Sequence, residues 1–177
     1  MVGEKIVPLR WGLLAALLTL VYGFGLGMTF GVGEDRIKEY LDSEATGALE
    51  TAYGGDTAKA KAVVHSGWVY FKRAHLHANG LGTTALTLIF LLALLPGSLV
   101  VRQIAAAMSG VGALGYSASW MLAGMRAPGL GSTHAARESL AWLALPSAFF
   151  CGLGLLLTLA LFLRKIFWAN VGSERLA

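Results

Sequence analysis

Residues 73–95 read RAHLHANGLGTTALTLIFLLALL. Arg73 and the imidazoles of His75 and His77 stand at the mouth of a run that carries no further charge. At 1.5 Å per residue, about 20 such residues cross the hydrocarbon layer of a bilayer as a helix. The stretch therefore predicts a membrane span over His77–Leu95, with two ionisable rings where lipid meets water.

Three further apolar runs flank it: Trp11–Phe30, Ile104–Met125 and Leu140–Leu163. Turn chemistry separates them. Pro96-Gly97-Ser98 closes the second run and Arg126-Ala127-Pro128-Gly129 the third, while Arg164-Lys165 stops the fourth. The first run is longer than a signal-peptide core and no A-x-A-like cleavage site follows, so it reads as a retained span. The chain is 56% hydrophobic and 14% charged, with a mean hydropathy of +0.64. Only lipid can cover that much apolar surface at this length. The expected fold class is all-α: one polytopic membrane domain over residues 1–177, a four-transmembrane-helix bundle.

The first loop, residues 31–73, is long. Ile37, Tyr40, Leu41, Ala48 and Leu49 recur at helical spacing among charged residues, predicting an amphipathic helix from Glu34 to Tyr53. That helix either lies on the membrane or forms an extracytoplasmic cap on the bundle. Gly54-Gly55 ends it, and Asp56 is placed to cap a second run that feeds into the second span despite Gly67.

Small residues recur every four positions in each span, a spacing that lets helices approach closely in lipid. The ridges are Gly23, Gly27 and Gly31; Ala74, Ala78 and Gly82; Ala105, Ser109, Ala113 and Ser117; and Ala144, Ala148 and Gly152. Trp11, Trp68, Trp142 and Trp168 fall near span ends, as in an interfacial aromatic belt. Pro146 is expected to kink the fourth span or mark a short helix ahead of it.

The formal charge is +4, with basic residues scattered and without stacking partners, which argues against nucleic acid. The one cysteine, Cys151, excludes an internal disulfide and covalent c-type haem attachment. Lys5, Arg10, Arg102, Arg164, Lys165 and Arg175 concentrate on one side of the membrane. Their density favours that side as cytoplasmic, with both termini there and the chain in the inner (plasma) membrane. A transporter is disfavoured, since no charge lies deep in a span and no span is clearly broken at its middle.

His65, His75, His77 and His134 all fall on the long-loop side. On a regular helix His75 and His77 are about 200° apart, so one metal cannot take both. One is expected to face the bundle and the other lipid, a partner or the interface. Three chemistries suit this set. A haem b could be ligated by His75 or His77, with His134 opposite, since the second and fourth spans are expected to have these ends adjacent. Copper or zinc could be held by several imidazoles. A quinone or proton relay could use one histidine with Trp68 or Tyr70. Interfacial histidines that bond only loops or head groups are the fourth possibility. Lys72 and Arg73 would snorkel to head groups, or meet haem propionates or anionic lipid.

The segment AHLHANGLG resembles the histidine-bearing second helix of haem–copper oxidase subunit I and its small four-helix relatives. The resemblance implies that His75 or His77 ligates a low-spin haem. The chain has far fewer spans than a full catalytic subunit and lacks the later histidines of its copper site. The implied role is therefore a haem-b-binding or accessory subunit supporting electron transfer in a respiratory-type complex. It would not be a catalyst by itself. The alternatives are a cofactor-free structural or assembly subunit and a periplasm-facing copper-binding protein. Expected partners are the bilayer and other membrane subunits, or further copies of the chain.

Overall fold

The computed structural model describes residues 2–168, and all regular structure among them is helical. The helices are α1 (Val2–Ile6), α2 (Arg10–Gly47), α3 (Leu49–Tyr53), α4 (Thr57–Leu94), α5 (Leu99–Arg126), α6 (Thr133–Glu138) and α7 (Ala141–Trp168); a 3₁₀ turn over Val7–Leu9 links α1 to α2. Four of them, α2, α4, α5 and α7, are long and apolar enough to cross a membrane. The Trp168 side chain and Arg175 lie outside the described residues.

Two helices run well past the expected spans. α2 changes direction at Gly33 (φ −142°, ψ 19°) and continues as the predicted amphipathic helix. This continuation caps the bundle. Leu41 is fully buried among Trp68, Phe71, Val64, Met121 and Met125, while Ala45, Ala48 and Tyr53 close over Ala60. Gly54 and Gly55 take left-handed φ of 62° and 81° to reverse the chain, a conformation that favours glycine. Asp56 then caps α4 by accepting from Lys59 N at 2.9 Å. α4 passes Gly67 without a break. Trp68 is buried in this cap and does not belong to an interfacial belt, whereas Trp11 and Trp142 are exposed.

The cap is also tied to the loop after α5. Tyr53 is buried, which raises its phenol above its ordinary value, and its hydroxyl donates to Pro128 O at 2.6 Å. Tyr53→Phe should lower stability by about 1 kcal/mol, because it removes a buried hydrogen bond while Gly131 N still serves the carbonyl. Chemical unfolding followed by far-UV circular dichroism would show it, and a wild-type midpoint would refute it.

The four long helices form a skewed bundle. α2, α4 and α5 pack mutually, and α7 packs almost entirely on α5. The cause is the α2–α5 diagonal. A Cβ on Gly12 would collide with the backbone of Ala106, and one on Gly110 would collide with Gly12 O. These two parallel helices therefore meet almost backbone to backbone and hold α4 and α7 on opposite flanks. α4 and α7 barely touch, contrary to the expected adjacency of the second and fourth spans.

The contact face of α7 also differs from the expected ridge. Ala148 and Gly152 are exposed, and Ser147, Gly154 and Thr158 are buried instead. Ser147 and Cys151 seat on Gly112, whose added Cβ would lie 2.6 Å from Cys151 N. α7 runs on through Pro146, and α6 is the short helix ahead of it. The ridge on α5 is as expected, with Ala105, Ser109, Ala113 and Ser117 all buried.

Candidate functional site

α4 positions both imidazoles, and each docks on a different helix. The His75 ring lies against α2. Its Nδ1–H donates to Gly23 O at 2.8 Å, and it meets Phe30 edge-on at 5.7 Å between centroids. Gly27 makes room for it, since a Cβ there would stand 2.8 Å from His75 Cε1. Asn79, one turn on, donates to His75 O at 3.0 Å.

His77 lies against α5. Its ring stacks on Trp120 (5.7 Å, 23°) and meets Tyr116 edge-on (5.3 Å). Its Nδ1–H donates to Arg73 O at 2.7 Å. Both rings are half-buried. The 200° separation is as expected, but neither ring is given up to lipid, because α4 has a neighbour on both sides.

A carbonyl oxygen can only accept, so Nδ1 carries the proton in both rings. In the neutral form each Nε2 is then a free lone pair, the state a metal ligand requires.

Arg73 lies over Tyr70 and Trp120, with its guanidinium 5.4 Å and 5.1 Å from the ring centroids. Lys72 lies 6.0 Å from the Trp68 ring. Both cations are exposed and rest on aromatic faces at the rim of the site. Tyr70 meets Trp120 edge-on at 5.0 Å, whereas Trp68 belongs to the Phe30–Phe71 cluster on the His75 side. The important neighbours of His77, Tyr116 and Trp120, stand one turn apart on one face of α5. Their spacing was the available sequence signal. It was silent because nothing indicated that this face meets α4.

His134 sits elsewhere. Ser132 caps α6 by accepting from His134 N and Ala135 N. The imidazole is 71% exposed and meets Glu138 Oε2 at 3.3 Å. It borders a cavity of about 320 Å³ between α5, α6 and α7, together with Tyr116, Trp120, Arg137, Leu140 and Ala144. Trp120 Nε1 is buried without a hydrogen-bond partner among the described residues. His134 thus lies beyond α5 from His75. It shares only the Tyr116–Trp120 wall with His77. The expected packing of the second span against the fourth does not form, because α7 leans on α5. Among the described residues no three His, Cys, Asp or Glu side chains come together, so the imidazole cluster expected of a copper or zinc site does not assemble. His65 is exposed on the outer part of α4.

Below His77 its helical stripe continues through Leu81, Thr84 and Leu88. These residues border a second cavity, of about 260 Å³, facing Cys151, Gly152 and Leu155 of α7. The stripe beyond His77 therefore borders a furrow floored by α5 and walled by α7, while the His75 side is filled by α2. Comparison of the chain with known families, curated proteins and solved structures finds no match.

Proposed function

We propose that this chain is an integral-membrane accessory subunit of an electron-transfer complex, set in the plasma membrane with both termini cytoplasmic, and that His77 would hold a haem b through Nε2. The supporting observation is the preparation of that ring. Arg73 O fixes its tautomer, Trp120 and Tyr116 fix its plane, and one turn further along α4 Leu81 begins the apolar furrow between α4 and α7. His75 has the same tautomer but is closed in by Gly23, Gly27 and Phe30. Arg73 stands beside the ring to meet a propionate. Haem iron, when bound, supplies one-electron transfer. The residues of the chain contribute the ligand, its orientation and an apolar wall.

The absorption spectrum of the purified protein tests this reading. A Soret band that shifts on reduction is expected, lost in His77→Ala and kept in His75→Ala and His134→Ala. A colourless preparation from haem-replete cells would refute haem and favour a cofactor-free assembly subunit. A spectrum indifferent to His77→Ala would refute the ligand.

One observation favours a second reading. The cavity beside Trp120, about 320 Å³, is at the small end of the ~300–1,000 Å³ typical of ligand sites. It has room for a single-ring head group against the Tyr116 and Trp120 rings. Co-purified quinone that falls on Trp120→Phe, in a preparation without haem, would decide for it.

A further inference from the structure

At the opposite end of the bundle, beside the turn from α4 to α5, three cations from three separate elements border one cavity of about 420 Å³: Lys5 of α1, Arg102 of α5 and Lys165 of α7. The rest of its described lining is apolar, Leu94, Leu95 and Pro96 among it, and contains no carboxylate. Three like charges around one recess repel one another, an arrangement that favours an anion between them.

Arg102 sharpens the point. Its Nη1 reaches Leu92 O at 3.5 Å, in the last turn of α4, where a cation also complements the helix dipole. Its Nε is buried and has no hydrogen-bond partner among the described residues. A guanidinium has five N–H donors arranged to grip planar or tetrahedral oxyanions. The recess also has an apolar flank. Leu94 beside it, and Leu163 and Ile166 on the adjoining turns of α7, are exposed. An anion carrying acyl chains would satisfy both the charge and the flank.

We propose that Lys5, Arg102 and Lys165 form a binding site for a phosphate-bearing anion, supplied as the head group of an anionic phospholipid in the leaflet on the side of the termini. The Arg102 guanidinium and the two ammonium groups supply the positive charge for the phosphate, and the acyl chains run down the exposed Leu94 side. Free phosphate offers the same oxygens without the chains.

Native mass spectrometry of the full-length protein, released from nanodiscs of mixed phosphatidylglycerol and phosphatidylcholine, tests the site. At least one phosphatidylglycerol should be retained in preference to phosphatidylcholine. The double variant Lys5→Gln/Lys165→Gln should weaken that retention by about fivefold for each charge removed, the effect of one cation near an anionic head group. Both side chains are exposed, so the variant keeps its fold, and helical ellipticity verifies this. Arg102→Gln should weaken retention further. Lys59→Gln/Lys61→Gln removes the same charge from the far side and should change nothing. Excess inorganic phosphate that leaves the lipid adduct intact identifies the lipid as the source, whereas displacement of the adduct identifies phosphate alone as sufficient. Equal retention of the two lipids would overturn the site. So would a loss in Lys5→Gln/Lys165→Gln no greater than in the Lys59/Lys61 control.

Discussion

Gly110→Val should separate α2 from α5 and cost at least about 3 kcal/mol, the upper part of the range for overpacking a tight interface. The first side-chain carbon alone would collide with Gly12 O and lie 3.0 Å from Ala15 Cβ and 3.1 Å from Ala16 N. Two of these three obstacles are backbone, which no rotamer change can move. In lipid there is no hydrophobic drive to restore a spoiled contact, so helix association depends on the packing that the valine destroys. Unfolding in mixed micelles with increasing dodecyl sulfate, followed by ellipticity, would measure the loss. Gly152→Val is the matched control, since nothing lies within 4 Å of a Cβ there. If the two variants unfold together, close approach of α2 and α5 does not hold the bundle.

Leu41→Ala should cost about 3 kcal/mol, within the 2–5 kcal/mol observed for emptying a fully buried leucine site. Leu41 is the centre of the cap, with no exposed surface, and Trp68 and Phe71 pack around it. Large rigid rings cannot collapse fully into the space a leucine leaves, which places the cost above the minimum. The effect should also be local. Amide exchange should quicken over residues 34–67, while the lower halves of α2 and α4 keep their protection. Uniform quickening along the whole chain would show that cap and bundle unfold as one unit and would refute a local role.

How much of this was legible beforehand depended on the range of the physics. Apolar run length fixed the four spans. Gly54-Gly55 and Asp56 marked the hairpin because turn and cap chemistry is local. The directions of His75 and His77 followed from the 3.6-residue repeat alone. What the rings touch did not follow. That was decided by the Gly12–Gly110 contact between helices far apart in sequence, which placed α7 beyond α5. The four-residue ridges were ambiguous for a related reason. Every span is rich in small residues, so spacing alone could not separate Ala144-Ala148-Gly152, which is largely exposed, from the Ser147–Gly154–Thr158 face that packs. Gly67 looked like a threat to helix continuity. In the structure it is a crossing point, where a Cβ would lie 3.0 Å from Gly124 O.

The continuity of α4 has a bearing on bilayer thickness. A helix that passes through the head-group layer without a joint has no built-in depth, so side chains must set it. Arg73, resting on Tyr70 and Trp120, and Arg102, at the Leu92 carbonyl, stand at the two ends of the uncharged stretch. From Arg73 to Leu94 the helix rises about 32 Å, close to the ~30 Å of an average hydrocarbon layer. In a thinner membrane the rod can ride upward with its backbone bonds intact, exposing more of the His75–His77 turn to water. Hydrophobic mismatch would thus register first at the imidazoles, and membrane thickness would set how wet they are.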